Sequence, residues 1–170
     1  MAILDVIRKR YSCRAYLDKS IEQEKIEQVF EAARLAPSAK NLQDWRFVVI
    51  RDKDKKAEVA ACTNRPEVFG KAAVMIAACS NSDYVMTCGQ AVGPIDVSIA
   101  LEHISLQATE LGLATCWIGS FDTKKVRKIL EIPQDVVIIE LMALGYPAAE
   151  GRQPGKEPIQ RIMCYDKWRF

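Results

Sequence analysis

The stretch "AARLAPSAKNLQDWRFVVI", residues 32–50, contains the change from helix to strand that organises the chain. A helical pattern runs into Pro37 and should end there, because the residue before a proline avoids helical geometry. The apolar, β-branched run from Phe47 predicts a strand. Between the two lies a loop with a hydroxyl, two side-chain amides and a tryptophan. Such a loop either closes a helix over a core tryptophan or presents its amides to a ligand.

The helix before this loop is amphipathic. Ser20 followed by Gln23 predicts a capping box at its start. The apolar residues that follow recur at helical spacing, which predicts one buried face. These residues are Ile26, Val29, Phe30 and Ala33.

The rest of the chain alternates irregularly between helical and strand patterns. "GPIDVSIALEHISLQATELG" is apolar around most of its circumference, which predicts a long buried central helix ending at Gly112. "FDTKKVRKIL" predicts a helix capped by Asp122. Strand patterns occupy "RFVVIRD", "AAVMIAACS", "LATCWIGSF" (a strand or a turn) and "DVVIIELMALGYP". The order predicts an α+β fold, with a mixed β-sheet flanked by helices, in a single domain of residues 1–170.

Bulk properties exclude several classes of function. The chain has 170 residues and a net charge of +2, too small to indicate a nucleic-acid partner. No apolar run is long enough to span a membrane, and the first residues do not resemble a secretory signal. We therefore expect a cytoplasmic protein with neither nucleic-acid nor membrane partners.

The cysteines and the single histidine do not predict a metal site. The six cysteines show no C-x-x-C spacing, and His103 lies alone on the central helix. Free thiols, buried or incidental, are the expected state in a chain of this size. Cys88 or Cys116 acting as a redox sensor stays open as an alternative.

Three polar clusters are separated along the sequence. The first, "RKRYSCR" at residues 8–14, is either a set of cations at a helix C-terminus or a clamp for phosphate oxygens. The second is the amide pair Asn41 and Gln43, whose adjacent donors and acceptors match a heterocycle edge such as the flavin pyrimidine ring. The third, Arg152, Lys156 and Arg161, is by itself an ordinary charged tail.

Together these segments resemble the nitroreductase family of FMN-dependent oxidoreductases. The resemblance follows the family's order over nearly the whole chain, and the second segment is the most specific. The segments are "RKRYSCRAY", "APSAKNLQDWRFVV", "ELGLATCWIGSFD" and "ALGYPAAE…GKEPIQRIMCYDKW". The resemblance implies an intertwined homodimer with two FMN sites at the interface. It also implies that residues 148–170 wrap the partner subunit.

The resemblance also implies roles for individual residues. Arg10 and Ser12 match positions on the phosphate and ribityl chain, and Lys156 matches a further phosphate position. Arg14 matches a basic position at the N1–O2 edge, where it would support the reduced flavin; no side chain is implied as a catalytic acid, base or nucleophile. The whole cofactor-binding set is Arg10, Tyr11, Ser12, Arg14, Pro37, Ser38, Ala39, Asn41, Gln43, Ile118, Gly119 and Lys156. The loop of residues 37–43 would come from the other subunit.

The implied activity is ping-pong transfer of a hydride from NADH or NADPH, through FMN, to a nitroaromatic, quinone or similar small acceptor. The chain departs from the family at three positions, because Ala39 replaces a hydroxyl, Asp44 a proline, and Lys156 an arginine. These departures keep open a non-catalytic dimer that binds flavin or nucleotide. They also predict weaker FMN binding than is usual for the family.

Overall fold

The computed structural model describes residues 3–170 and confirms an α+β fold. The strands are β1 (Trp45–Ile50), β2 (Val74–Ser80), β3 (Ala114–Ile118) and β4 (Val137–Gly145). The α-helices are α1 (Asp5–Lys9), α2 (Gln23–Arg34), α3 (Lys53–Ala60), α4 (Pro66–Phe69), α5 (Val92–Glu110) and α6 (Thr123–Ile129). Short 3₁₀ turns occupy Ala39–Asn41 and Ile159–Arg161.

The four strands form one sheet in the order β1-β2-β4-β3, and every neighbouring pair is antiparallel. The prediction of a mixed sheet is therefore wrong for these strands. Helices cover both faces of the sheet, so its strands are mostly apolar, as is usual for parallel strands; β2 is buried at every position. Within residues 3–170 the one parallel pairing recorded is an isolated bridge between Ser12 and Thr115.

Each face of the sheet carries its own hydrophobic cluster. On one face, α2 and α5 pack against the sheet, and the α5 side chains at its centre are fully buried. On the other face, buried residues of α3, α4 and α6 complete the second cluster. The predicted burial of the central helix is confirmed by Val97, Ala100, Leu101 and Ile104, all 0% exposed.

The helix ends agree with the sequence in two places and differ in two. Gly112 has a φ of 73° and Asp122 accepts a hydrogen bond from the Lys125 amide at 3.1 Å, so both predicted caps are confirmed. Helix α2, however, is preceded by Glu22 without a side-chain cap, so the capping box at Ser20 is wrong. The same helix ends at Arg34, three residues before Pro37, and Ala36 is buried in the turn that follows.

The C-terminal segment, residues 148–170, contains no strand and leaves its apolar side chains exposed. Its start is fixed to the N-terminal region, where Gln153 donates to the Ile7 carbonyl at 2.9 Å. Beyond it, 3₁₀ geometry at Ile159–Arg161 is the only regular structure. The exposed apolar side chains are Ile159, Ile162, Met163, Tyr165, Trp168 and Phe170. A single chain therefore gives this segment no surface to cover.

Three further properties concern the described residues. No helix among them is both long and apolar enough to cross a membrane. No group of three or more potential metal-ligating side chains is found within residues 3–170. All six cysteines are unpaired, as expected, and Cys13, Cys79 and Cys116 are buried. The cytoplasmic location stays a prediction.

Candidate active site

The sheet register brings the predicted site segments to one end of the sheet. Trp45, the first residue of β1, pairs with Ser80 at the end of β2, which pairs in turn with Val137 at the start of β4. Ile118, the last residue of β3, pairs with Leu141. The loop before β1 and the segment after β3 therefore emerge at the same end.

The loop before β1 has an unusual backbone. Lys40, Asn41 and Gln43 have φ values of 52°, 57° and 52°, although none is glycine. Left-handed geometry costs a residue with a side chain on the order of 1 kcal/mol, and such residues cluster at ligand sites. The side chains of Asn41 and Gln43 are exposed. The loop therefore holds two amides outward in a conformation that the rest of the protein must enforce.

Three hydrogen bonds enforce this conformation. The Ala39 amide donates to both carboxylate oxygens of Asp96 on α5, at 3.2 and 3.1 Å, and the Gln43 amide donates to the Ser38 hydroxyl at 3.0 Å. Asp96 is only 2% exposed. Burial raises its pKa, the Ala39 amide opposes that shift, and the nearby charge of Asp44 adds to it. The central helix thus anchors the loop through a buried acid.

Asp44 faces the core rather than the surface. Its Oδ2 accepts a hydrogen bond from the Ser80 hydroxyl at 2.6 Å, while Oδ1 is buried without a partner among the described residues. Gly93 makes this arrangement possible, since a β-carbon there would lie 2.7 Å from the Ser80 hydroxyl oxygen. Asp44 replaces a proline next to the loop that the resemblance assigns to the cofactor, so a carboxylate beside the ligand would be expected at this position. The structure instead turns that carboxylate inward.

The basic segment lies at the opposite edge of the sheet. The Cys13 amide donates to the Thr115 carbonyl at 2.8 Å, next to the bridge between Ser12 and Thr115, so this segment runs beside β3. Arg14 then reaches a cavity of about 210 Å³ that Ile118 and Gly119 also line. Arg14, Ile118 and Gly119 therefore line one cavity, whereas Ser12 pairs with Thr115 beside it; their role in binding a cofactor stays a prediction.

Two residues of this cavity were missed in the sequence. Asn64 and Arg65, in the turn before α4, line it together with Arg14. An asparagine and an arginine directly before Pro66 do form a polar signal, but only the fold shows that α4 lies beside the end of β3. A second guanidinium makes the cavity more suitable for an anionic or electron-rich group.

Arg10 and Tyr11 occupy the next part of this edge. The half-buried Arg10 guanidinium lies 3.9 Å from the Glu102 carboxylate on α5. Burial raises the pKa of Glu102, and the charge of Arg10 opposes that shift. The Tyr11 hydroxyl donates to the Ala149 carbonyl at 3.1 Å, so this side chain holds the C-terminal segment. Lys156 is exposed further along that segment and forms no ion pair with a carboxylate among residues 3–170.

A half-buried acid behind Gly119 was also missed. Both carboxyl oxygens of Glu140 lie near Gly119, at 3.5 and 3.7 Å from where a β-carbon would stand. Oε1 is buried with no partner among the described residues, and burial raises the pKa of this carboxyl. Strand β4 has a bulge beside Glu140, where the pairing of β4 with β2 is interrupted. Bulges commonly change the direction of side chains near functional sites. In sequence, Glu140 appears only as an interruption of an apolar strand.

Comparison with known proteins identifies the family. The sequence model described as "Nitroreductase family" matches residues 7–65 and 57–146. The chain belongs to the nitroreductase family.

Individual relatives are similar over most of their length. An Archaeoglobus fulgidus protein that carries the name NADH dehydrogenase/NAD(P)H nitroreductase is 34% identical over 154 residues, 86% of each chain. The crystal structure of a nitroreductase family protein from Clostridium difficile 630 superposes with a TM-score of 0.88 at 31% identity, covering 99% of this chain and 100% of that one. An FMN-dependent nitroreductase from Clostridium difficile R20291 is 30% identical with a TM-score of 0.76, covering 97% and 96%.

The residues of this nitroreductase-family chain fit FMN only in two separate halves. The basic half, with Arg10, Ser12 and Arg14, lies at the β3 edge, and the amide half, residues 37–43, lies at the β1 edge. Three strand spacings separate β1 from β3, roughly 14 Å. Cations that suit a phosphate and amides that suit a ring edge are therefore both present, but at opposite edges of the sheet.

His103, the remaining candidate for acid–base chemistry, has a packing role. Its Nδ1 lies 3.1 Å from the Ala32 carbonyl, between α5 and α2.

Proposed function

We propose that the chain is an FMN-dependent oxidoreductase that takes electrons from NADH or NADPH and reduces nitroaromatics, quinones or similar small acceptors. The observation that supports this most is the pair of half-sites. They emerge at the same end of the sheet but at opposite edges, and their donor sets are complementary. A homodimer that joins the β3 edge of one copy to the β1 edge of another would complete each site.

The basic half would hold the anionic end of the cofactor. Arg10 supplies a guanidinium fork, which suits phosphate oxygens, and Ser12 supplies a hydroxyl. Glu102 keeps the Arg10 side chain directed along α5 before the cofactor binds. Lys156 would reach the same phosphate only after the C-terminal segment has been placed by the partner.

The ring would be held by both halves. Asn41 and Gln43 match alternating donors and acceptors at the pyrimidine edge, and the strained loop fixes their direction. The backbone at Ile118 and Gly119 approaches the ring from the other copy, where Gly119 leaves space for close contact. Bound FMN supplies the hydride chemistry, accepting from the nicotinamide and delivering to the acceptor. Arg14 would stabilise the negative charge that reduction brings.

We propose that the nicotinamide and the acceptor use the same face of the flavin in turn. The nicotinamide must leave before an acceptor can stack in its place, which predicts ping-pong kinetics. Tyr84 lies beside the loop, where the Lys40 ammonium stands 4.3 Å from the centre of its ring. We propose that these two side chains contact the acceptor.

The C-terminal segment supports the dimer. Six apolar side chains between Ile159 and Phe170 are exposed in the single chain, and Trp168 is 84% exposed. Exposed apolar surface of this kind marks an interaction site. We propose that residues 148–170 wrap the partner subunit, as the resemblance implies.

An absorbance spectrum and anaerobic titration test the function. Purified protein should show flavin absorbance that NADH or NADPH bleaches and that a quinone or nitroaromatic restores. A colourless protein that gains no flavin absorbance with added FMN would contradict the proposal. Steady-state rates at several fixed acceptor concentrations should give parallel double-reciprocal lines.

The non-catalytic alternative predicts flavin binding without turnover. The substitutions at positions 39 and 44 were the main support for this alternative. In the structure Asp44 faces Ser80 and Ala39 is held through its backbone amide, so neither substitution argues strongly against turnover. The thiol-sensor alternative is weak at Cys116, whose burial raises its pKa and disfavours the reactive thiolate. Labelling of Cys88 before and after peroxide treatment would test the other thiol.

A further inference from the structure

A basic cavity lies at the end of the sheet away from the cofactor half-sites. It has a volume of about 530 Å³ and opens where β1 ends and β2 begins. Arg51 follows the last residue of β1, and Ala72 and Ala73 precede the first residue of β2. Six residues of β1 separate this end from Trp45, roughly 17 Å along the strand. The cavity is therefore distinct from the site proposed for FMN.

The cavity concentrates positive charge. Its lining carries one carboxylate, Asp18, against five basic side chains, which are Lys19, Arg51, Lys53, Lys56 and Lys71. The whole protein has a net charge of only +2, so the remainder of the surface is on balance acidic. Charges of one sign that line a concave cleft produce a stronger electrostatic potential than the same charges on a flat surface, because the protein around the cleft has a low dielectric constant.

Two of these cations are held in place without being neutralised. The Arg51 guanidinium donates to the Gln23 side-chain oxygen at 2.8 Å, and the Lys56 ammonium donates to the Ala72 and Ala73 carbonyls at 2.6 and 3.1 Å. All three partners are uncharged. Burial lowers the pKa of Lys56, which means that the charged ammonium is less stable here than in water. A bound anion would stabilise that charge. By contrast, Lys19 lies 3.8 Å from the Glu22 carboxylate, so it contributes least to the positive charge of the cavity.

The floor of the cavity is apolar. Tyr16 is buried beneath it, and Gly70, Ala72 and Ala73 add small side chains or none. Apolar walls with a few convergent charged groups are typical of sites for small molecules, and this volume lies in their usual range. Lys53 and Lys71 form no ion pair among the described residues and remain available at the rim.

We propose that this cavity binds a small phosphorylated anion through Arg51, Lys56 and Lys71. The recognised chemistry is a phosphate or diphosphate group, either as a free ion or on a small organic molecule that lies on the apolar floor. The site goes beyond the oxidoreductase function and does not depend on it.

Calorimetric titration of the FMN-loaded protein tests the proposal, because bound FMN occupies the phosphate position of the cofactor site. Inorganic pyrophosphate is the first probe, at about 0.15 M NaCl, where surface charges more than about 8 Å apart are screened. We expect saturable binding of one pyrophosphate per chain. The double variant Arg51→Gln/Lys71→Gln should bind at least about tenfold more weakly, through the loss of charge-assisted hydrogen bonds.

The matched control is Lys124→Gln/Lys128→Gln, which removes the same charge from exposed positions on α6. This control should bind pyrophosphate like the unchanged protein. Absence of saturable binding, or an equal loss in both double variants, would overturn the proposal. Adenosine monophosphate and inorganic phosphate then separate the two sources, since tighter binding of the nucleotide indicates an organic ligand and equal binding indicates the free ion.

Discussion

The Ala39 amide donates to both carboxylate oxygens of Asp96, at 3.2 and 3.1 Å, and so joins the strained loop to the central helix. Ala39 stands where the family often has a hydroxyl. In this chain the Ala39 backbone is instead held by the buried carboxylate of Asp96 on α5. The orientation of Asn41 and Gln43 therefore depends on a residue that does not itself face the proposed ligand.

Two substitutions of Asp96 distinguish the loss of the hydrogen bond to the Ala39 amide from the loss of the negative charge. Asp96→Ala leaves the Ala39 amide unpaired, so FMN should bind about tenfold or more weakly, as expected for a lost hydrogen bond to a charged group. Asp96→Asn keeps an acceptor oxygen and should bind FMN nearly as well as the unchanged protein. Fluorescence titration with FMN measures both, and Asp54→Ala on α3 is the exposed control. Equal affinity in Asp96→Ala would refute the anchoring role.

Glu140 should make the protein less stable as the pH rises. Burial raises its pKa, so the folded state holds the proton more tightly than the unfolded chain does. The free energy of unfolding therefore falls once the pH rises above the ordinary pKa of a glutamate, near 4.3. Glu140→Gln removes this penalty, and its melting temperature should exceed that of the unchanged protein at pH 7 but approach it near pH 4.

The exposed Glu131 supplies the control for this prediction. Glu131→Gln should leave the melting temperature unchanged at both pH values. Thermal unfolding of the three proteins across the pH range gives the comparison. A Glu140→Gln protein that is less stable at pH 7 would show that the carboxylate makes a stabilising contact instead.

Arg10 should contribute much more to FMN binding than its neighbour Lys9. Arg10→Ala removes a charge-assisted contact to the phosphate, and FMN should bind about tenfold to a hundredfold more weakly. Lys9 is exposed and lies 4.0 Å from Asp5 on the same short helix, so Lys9→Ala should have little effect. Lys156→Ala should weaken FMN binding if the partner places the C-terminal segment. Equal FMN affinities in the three variants would count against the phosphate assignment.

Asp122 should stabilise the fold without affecting the cofactor. Its carboxylate accepts from the Lys125 amide at the start of α6. Asp122→Ala should lower the free energy of unfolding by about 1 kcal/mol, and Asp122→Ser should restore most of the loss. Chemical denaturation provides the measurement. A neutral Asp122→Ala variant would show that this cap adds nothing.

Local patterns predicted the elements of this fold well. The periodicity of α5, the cap at Asp122 and the glycine at 112 each act within a few residues, so they can be recognised in a single sequence. Strand direction could not be recognised in this way. It depends on which strands become neighbours, and continuous burial makes antiparallel strands look parallel.

The site was only partly visible for the same reason. The segments at residues 10–14 and 37–43 carry their chemistry in adjacent residues and could be matched to a family. Asn64 and Arg65 join the site through α4, and Glu140 joins it beside a bulge in β4. Both positions lie far in sequence from the segments that carry the recognisable motifs. Asp44 shows the converse, because its side chain lies in a polar loop but turns toward Ser80.

A mixed dimer tests the central claim most directly. One parent protein carries Arg10→Ala/Arg14→Ala in the basic half, and the other carries Ser38→Ala/Asn41→Ala in the amide half. If two chains share each site, both parents bind FMN weakly, whereas the mixed dimer contains one intact site. Its FMN titration should show one tight site per dimer. Weak binding throughout the mixed dimer, or tight binding by an isolated monomer, would contradict the account.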